Sequence, residues 1–228
     1  MRLHRFYINK IIDNEEVVID DDRLIHQWRN VFRFNVGGEV ILFDGSGFEY
    51  DCLIEKINNK EAILRIVDKR KGVVPDGEII LYQSLIKKDK IEWVVEKATE
   101  LGVSKIVPII SERSEKKGFN IERAQKIAIE ASEQCGRADV PVVERVQNLE
   151  SGILDCEGEI IVLHPSGPSL NLESRFKLPA SIFIGPEGGW TEKEIERFKQ
   201  AEAKILSLGN LTLRAETAVI VALSKIQF

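Results

Sequence analysis

The stretch over residues 181–218 constrains the fold of this chain more than any other part of it. Residues 181–184 (S-I-F-I) are apolar and rich in β-formers, which predicts a short buried strand. The strand breaks at once into Gly185-Pro186-Glu187-Gly188-Gly189-Trp190. Three glycines in five residues open backbone angles closed to other residues and let another molecule approach the main chain. Thr191-Glu192-Lys193-Glu194 then has the T-x-x-E spacing of a capping box, so a helix is expected to start there. A second unit of the same kind follows: a strand over 204–208, a turn at Gly209-Asn210, and L-T-L-R-A-E-T-A over 211–218 leading into an apolar terminal helix. Two such turns so close in sequence place two loops at one sheet edge, and open α/β sheets bind ligands outside the carboxyl ends of their strands.

The rest of the chain supplies two grammars. Residues 1–71 are β-rich, with short apolar or alternating runs at 6–8, 16–19, 39–43, 49–57 and 61–67 separated by glycine, aspartate and asparagine turns. Only residues 22–32 have helical spacing. Many short strands with one helix predict a small barrel. K-G-V-V-P-D-G over 71–77 reads as a linker, and beyond it strands and helices alternate. Strands are expected at 78–85, 103–110, 142–146 and 160–164, and helices at 89–101 and 120–135. That alternation predicts a largely parallel sheet covered on both faces. A chain of 228 residues accommodates two such domains, over 1–71 and 72–228.

Composition excludes several classes. Apolar runs such as 140–143 and 160–163 are strand-sized and far too short to span a bilayer. The opening M-R-L-H-R-F has no apolar core, so no secretory leader is expected and the cytoplasm is the predicted compartment. Cys52, Cys135 and Cys156 are odd in number and unpaired in spacing, which argues against a zinc site or disulfide framework. A net charge of −5 weighs against any nucleic-acid reading, because phosphate binding normally leaves a basic footprint. Basic islands nonetheless stand at Lys69-Arg70-Lys71, at Lys87-Lys88-Asp89-Lys90 and over 113–117, each of which also reads as a solvated surface.

No G-x-x-x-x-G-K-[ST] and no G-x-G-x-x-G occurs, which removes the P-loop and Rossmann readings. The G-P-E-G-G turn carries an acid where a pyrophosphate wants none. A neutral or cationic ligand suits it better, with Ile184, Leu208, Leu211 and Leu213 at hand for an aromatic base; the alternative is that the glycines only shape tight turns. Ser166 lies in P-S-G rather than a G-x-S-x-G elbow. His164 sits at a strand end, as a base or as a structural group, and His4 and His26 are isolated. No metal-binding pattern is present, and no metal is expected.

I-G-P-E-G-G over 184–189 together with L-G-N-L-T-L-R-A-E-T-A over 208–218 resembles the RsmE family of ribosomal RNA methyltransferases, part of the knotted SPOUT class. His4-Arg5-Phe6, Val31-Phe32-Arg33, E-K-A-T-E-L-G-V over 96–103 and Glu133-Gln134-Cys135-Gly136-Arg137 fall in the family's order, so the resemblance covers essentially the whole chain. Phe32 stands where the family usually has leucine, and Cys135-Gly136 where a small polar residue is usual.

The resemblance implies an α/β fold with a knotted, trefoil, SPOUT-type C-terminal domain and a small N-terminal PUA-like β-barrel that helps hold RNA. It implies a homodimer and methylation of N3 of a uridine in 16S ribosomal RNA, with S-adenosylmethionine as cofactor. The alternatives are a knotted methyltransferase for another base or the ribose 2′-hydroxyl, and a non-catalytic RNA-binding assembly factor. The cofactor residues implied are Leu163 and His164, then Ile184, Gly185, Pro186, Glu187, Gly188 and Gly189, then Leu208, Gly209, Asn210, Leu211 and Leu213. Glu187 either favours the sulfonium or is simply an acid near a helix N-terminus. Arg214 is the candidate for stabilising negative charge on the uracil, or it holds loop carbonyls. Glu216 either accepts the proton or pairs with Arg214. Arg5, Arg29, Arg33, Lys87, Lys88, Arg113 and Arg137 are candidate phosphate contacts, each equally readable as surface charge.

Overall fold

The change of grammar near residue 75 is a change of fold. The computed structural model describes residues 3–115, 118–170 and 176–227, and its chain divides into two units. One comprises Met1–Val74 with Ser132–Asp139, the other Pro75–Ala131 with Val140–Phe228. A single linker over 71–77 does not foresee that residues 132–139 join the first unit.

In the first unit the alternating runs become β1 (Arg5–Tyr7), β2 (Glu16–Ile19), β3 (Glu39–Phe43), β4 (Phe48–Ile57) and β5 (Ala62–Lys71), in the order β1-β3-β4-β5-β2. All neighbours are antiparallel except β1 and β3. Tyr50, Cys52 and Ile54 point inward from β4, as period-two alternation requires. Register shifts at Asp51/Cys52 and Ile54/Lys56 bend β4 and curl the sheet. The core behind it holds Phe6, Trp28, Leu42 and Leu64, with the Phe6 and Trp28 rings 5.0 Å apart. The expected helix over 22–32 is α1 (Asp22–His26), capped by Asp21, followed by a π-helical turn over Gln27–Val31. Arg33 ends it in the left-handed region with φ of 56°.

The second unit is a sheet in which every pairing is parallel. Its strands are β6 (Ile79–Ser84), β7 (Lys105–Ile110), β8 (Val142–Val143), β9 (Gln147–Asn148), β10 (Glu159–Leu163), β11 (Ala180–Ile184) and β12 (Lys204–Leu206). The order is β12-β10-β11-β6-β7-β8, with β9 also on β7. Ile79, Leu81, Ile106, Ile161 and Ile182 bury against α2 (Lys88–Glu100), α3 (Ile121–Cys135) and α6 (Ala215–Gln227). The alternate residues Ile80, Tyr82, Val107, Val162 and Phe183 bury against α4 (Leu149–Leu154) and α5 (Glu192–Gln200). Helices therefore cover both faces, as expected. The strand expected over 142–146 is instead the short pair β8 and β9, and the Asn148-capped α4 is unforeseen because L-E-S-G-I-L has little helical signal. No helix among the described residues is long and apolar enough to cross a membrane.

Candidate functional site

Because every strand of the second sheet runs the same way, every strand's carboxyl end lies on one edge. The loops after β6, β7, β10, β11 and β12 all leave from it. The chain crosses from β8 and β9 to the far side of β6, so β6 and β11 flank the point where connections reverse direction. That is where open α/β sheets accept ligands.

The loops are tied to one another by specific bonds. Trp190 Nε1 donates to the Leu163 carbonyl at 3.2 Å, linking the ends of β11 and β10. The same indole sits over Gly185, where a Cβ would meet ring atoms at 3.1–3.3 Å. Arg113 Nη1 donates to the Gly188 carbonyl at 2.8 Å. His164 N donates to Leu206 O at 2.8 Å and Ser207 N to Pro168 O at 2.8 Å, so the loop after β10 runs along β12. Lys225 of α6 donates to Leu170 O at 2.7 Å and holds the far side of that loop. Thr191 and Glu194 form the predicted capping box, and Glu194 also accepts from the Glu112 amide at 2.9 Å.

Two glycines leave room. Gly189, with φ of 67°, and Gly209, with φ of 126°, have nothing within 4 Å of where a Cβ would stand. Between Asn210 and Leu213 the main chain makes no hydrogen bond among the described residues, so its donors and acceptors stay available to a ligand. Leu163 and Ile184 are buried beneath the loops, and Leu208 is half-buried against the same core, whereas Leu211 is exposed. Apolar seats, free peptide groups and open space over glycine together fit an adenosine-bearing ligand.

His164 takes no part in an ion pair among the described residues. Its Nδ1 accepts from the Ser166 amide at 3.2 Å and lies 2.7 Å from Ser166 Oγ, which leaves the proton on Nε2. Burial holds its pKa below the ordinary histidine value, so the ring is neutral at physiological pH. Arg214 is exposed, and its guanidinium has no partner among the described residues. It does not pair with Glu216. Glu216 Oε1 lies instead 3.2 Å from Lys90 Nζ, and Glu216 Oε2 is buried without a hydrogen-bond partner. Lys90 also reaches Glu187 Oε1 at 3.7 Å. Thr191, rather than Glu187, caps α5. Lys90 is the member that sequence reasoning missed: it was visible only as one cation in the island at 87–90.

The candidate RNA contacts separate. Arg29, Arg33, Lys87, Lys88 and Arg113 are exposed. Arg5 is 8% exposed, paired with Glu49 and bonded to the Arg137 carbonyl at 3.0 Å. Arg137 is 4% exposed and paired with Asp139 at 2.6 Å. These two guanidinium groups hold the first unit together, which removes them from the surface a phosphate meets. Lys116 and Lys117 of the third basic island lie outside the described residues. Among the described residues no cluster of three or more His, Cys, Asp or Glu side chains could hold a metal ion.

Residues 74–227 match the RNA methyltransferase domain family, and residues 29–67 match the RNA methyltransferase PUA domain. The ribosomal RNA small subunit methyltransferase E of Bacillus subtilis is 31% identical, over 90% of this chain and 87% of its own. The protein of the same name from Rickettsia conorii is 29% identical, over 100% of this chain and 96% of its own. Among solved structures, the small subunit methyltransferase E of Neisseria gonorrhoeae bound to S-adenosylmethionine superimposes with a TM-score of 0.90 at 27% identity, covering 98% of this chain and 96% of that one.

Proposed function

The chain belongs to the RNA methyltransferase family of the small-subunit methyltransferase E type, and on that premise we propose that it methylates N3 of a uridine in small-subunit ribosomal RNA, with S-adenosylmethionine as donor. The observation that carries this reading is the meeting of three loops, after β10, β11 and β12, at one carboxyl edge with open space over Gly189 and Gly209.

The donor supplies a methyl group already activated by its sulfonium charge, so the protein's share is placement and electrostatics. Leu163, Ile184 and Leu208 give the adenine its apolar seat, and the peptide groups over 210–213 give it hydrogen bonds. Glu187 supplies negative charge near the glycine turn. Uridine N3 is a weak acid that loses a proton as it reacts. The unpaired Arg214 guanidinium stabilises the negative charge that then develops on the uracil oxygens. The free Oε2 of Glu216 receives the N3 proton. N3 lies on the Watson–Crick edge, so the base reacts unpaired or flipped out. Arg29 and Arg33 on the first unit, and Lys87, Lys88 and Arg113 on the second, contact phosphates. In this reading residues 1–71 hold RNA, residues 72–228 form a knotted transferase domain, and two copies make a two-fold dimer.

Calorimetric titration with S-adenosylmethionine tests the premise, with Gly188→Val beside the native chain. A Cβ at Gly188 meets Arg113 Cβ at 3.2 Å and Cδ at 3.3 Å, so the loop has to give by a few tenths of an ångström, and a thermal melt checks that the variant folds. Binding by the native chain and its loss in the folded variant is the expected result. A native chain that binds no cofactor, alone or with RNA, overturns the proposal.

A further inference from the structure

We infer that Lys90 sets how strongly this site prefers a cationic ligand over its neutral counterpart, an inference that rests on the cofactor reading above. Lys90 stands in the first turn of α2, with its Nζ 3.2 Å from Glu216 Oε1 and 3.7 Å from Glu187 Oε1. The two carboxylates arrive from different places, one on the glycine turn after β11 and the other in the first turn of α6. One ammonium (+1) serves two carboxylates (−2), so the cluster keeps a formal charge of −1. Neither Arg113 nor Arg214 forms an ion pair with it. Glu216 is only 14% exposed, and its second oxygen is buried with no donor among the described residues. A carboxylate in that condition is under-compensated, and bringing a further cation near it is favourable.

S-adenosylmethionine and the product of its demethylation, S-adenosylhomocysteine, differ only at the sulfur, by one methyl group and its positive charge. The first carries a sulfonium, the second a neutral thioether, and their adenosine and amino-acid parts are the same. The residual negative charge of the cluster favours the first and is blind to the difference elsewhere. Lys90 offsets half of the acidic charge and so moderates that preference, which keeps donor and product exchangeable. A lysine that merely fastened α2, the glycine turn and α6 together would affect both ligands alike. The ratio of the two affinities therefore separates an electrostatic role from a structural one.

The experiment is calorimetric titration of the full chain with each ligand, for wild type, Lys90→Met, Lys90→Arg and Glu187→Gln. Lys90→Met is expected to raise the preference for S-adenosylmethionine about threefold, the effect of a partly exposed charge pair. Lys90→Arg restores the wild-type ratio. Glu187→Gln, at an exposed position, lowers it by a similar factor. Should Lys90→Met fail to fold, Glu187→Gln decides alone: a lowered ratio supports the inference and an unchanged ratio overturns it. Equal weakening of both ligands in Lys90→Met, with the ratio unmoved, overturns the inference and leaves the cofactor reading standing. A wild-type chain that binds neither ligand overturns the cofactor reading and, with it, this one.

Discussion

At the scale of single residues, the site is defined by which polar groups lack partners. Most charged side chains near the sheet edge are spoken for: Arg113 by the Gly188 carbonyl, Glu194 by its own cap and the Glu112 amide, Lys90 by two carboxylates. Arg214 has no such partner among the described residues. An exposed arginine with no partner contributes little to folding, so Arg214→Ala is expected to change stability by no more than about 0.5 kcal/mol. Removing one preorganised donor from a developing anion costs roughly 10²–10³ in turnover. The variant should therefore melt like the native chain and bind cofactor like it, while kcat falls by about that factor. A melting point that drops, or cofactor binding lost along with turnover, assigns Arg214 to the scaffold instead. The sequence could not separate these roles, because the pairing of Glu216 with Arg214 was as natural as its pairing with Lys90. Only the fold brings the first turn of α2 to the first turn of α6.

At the scale of elements, the loop after β10 owes its course to one glycine. A Cβ at Gly167 would stand 2.4 Å from the Ile205 carbonyl oxygen and 2.8 Å from Leu206 Cα, which are main-chain atoms of β12 that cannot step aside. Gly167→Ala is expected to destabilise the protein by about 1–3 kcal/mol, the usual range for overpacking. It should also weaken cofactor binding, since His164 and Ser166 ride on the displaced loop. Urea denaturation and calorimetry check the two effects, and a variant unchanged in both would show that the loop has slack. Elements with strong local signatures were legible beforehand. The capping box at 191–194, the strand at 181–184 and the apolar terminal helix follow from periodicity and turn chemistry alone. What escaped was non-local or weak: α4 begins on an Asn148 cap but has glycine and serine inside it. The π-helical turn after α1 is closed by Phe32 N donating five residues back to Gln27 O at 3.0 Å, a one-residue widening that no spacing announces.

At the scale of the whole molecule, a net charge of −5 has to be reconciled with an RNA substrate. Two of the seven candidate cations, Arg5 and Arg137, are consumed by carboxylates, and their burial could not be read from a sequence that shows them only as charges. Five exposed ones remain: Arg29, Arg33, Lys87, Lys88 and Arg113. Affinity for a charged strand rises through release of counterions, by about 0.7 in the logarithmic salt slope per neutralised phosphate on single-stranded nucleic acid. If each of the five meets one phosphate, the logarithm of the binding constant should fall with the logarithm of salt with a slope of about −3.5 per chain. Lys87→Ala and Lys88→Ala should each reduce its magnitude by about 0.7 and weaken every RNA sequence alike, because a phosphate contact positions without specifying. Arg5→Ala should leave the slope unmoved and lower the melting temperature, since the buried Glu49 loses one of two guanidinium partners and is left with Arg70. A slope near zero would place recognition in shape and base contacts. A slope that falls with Arg5→Ala in a still-folded protein would mean that the Arg5–Glu49 pair opens to meet RNA.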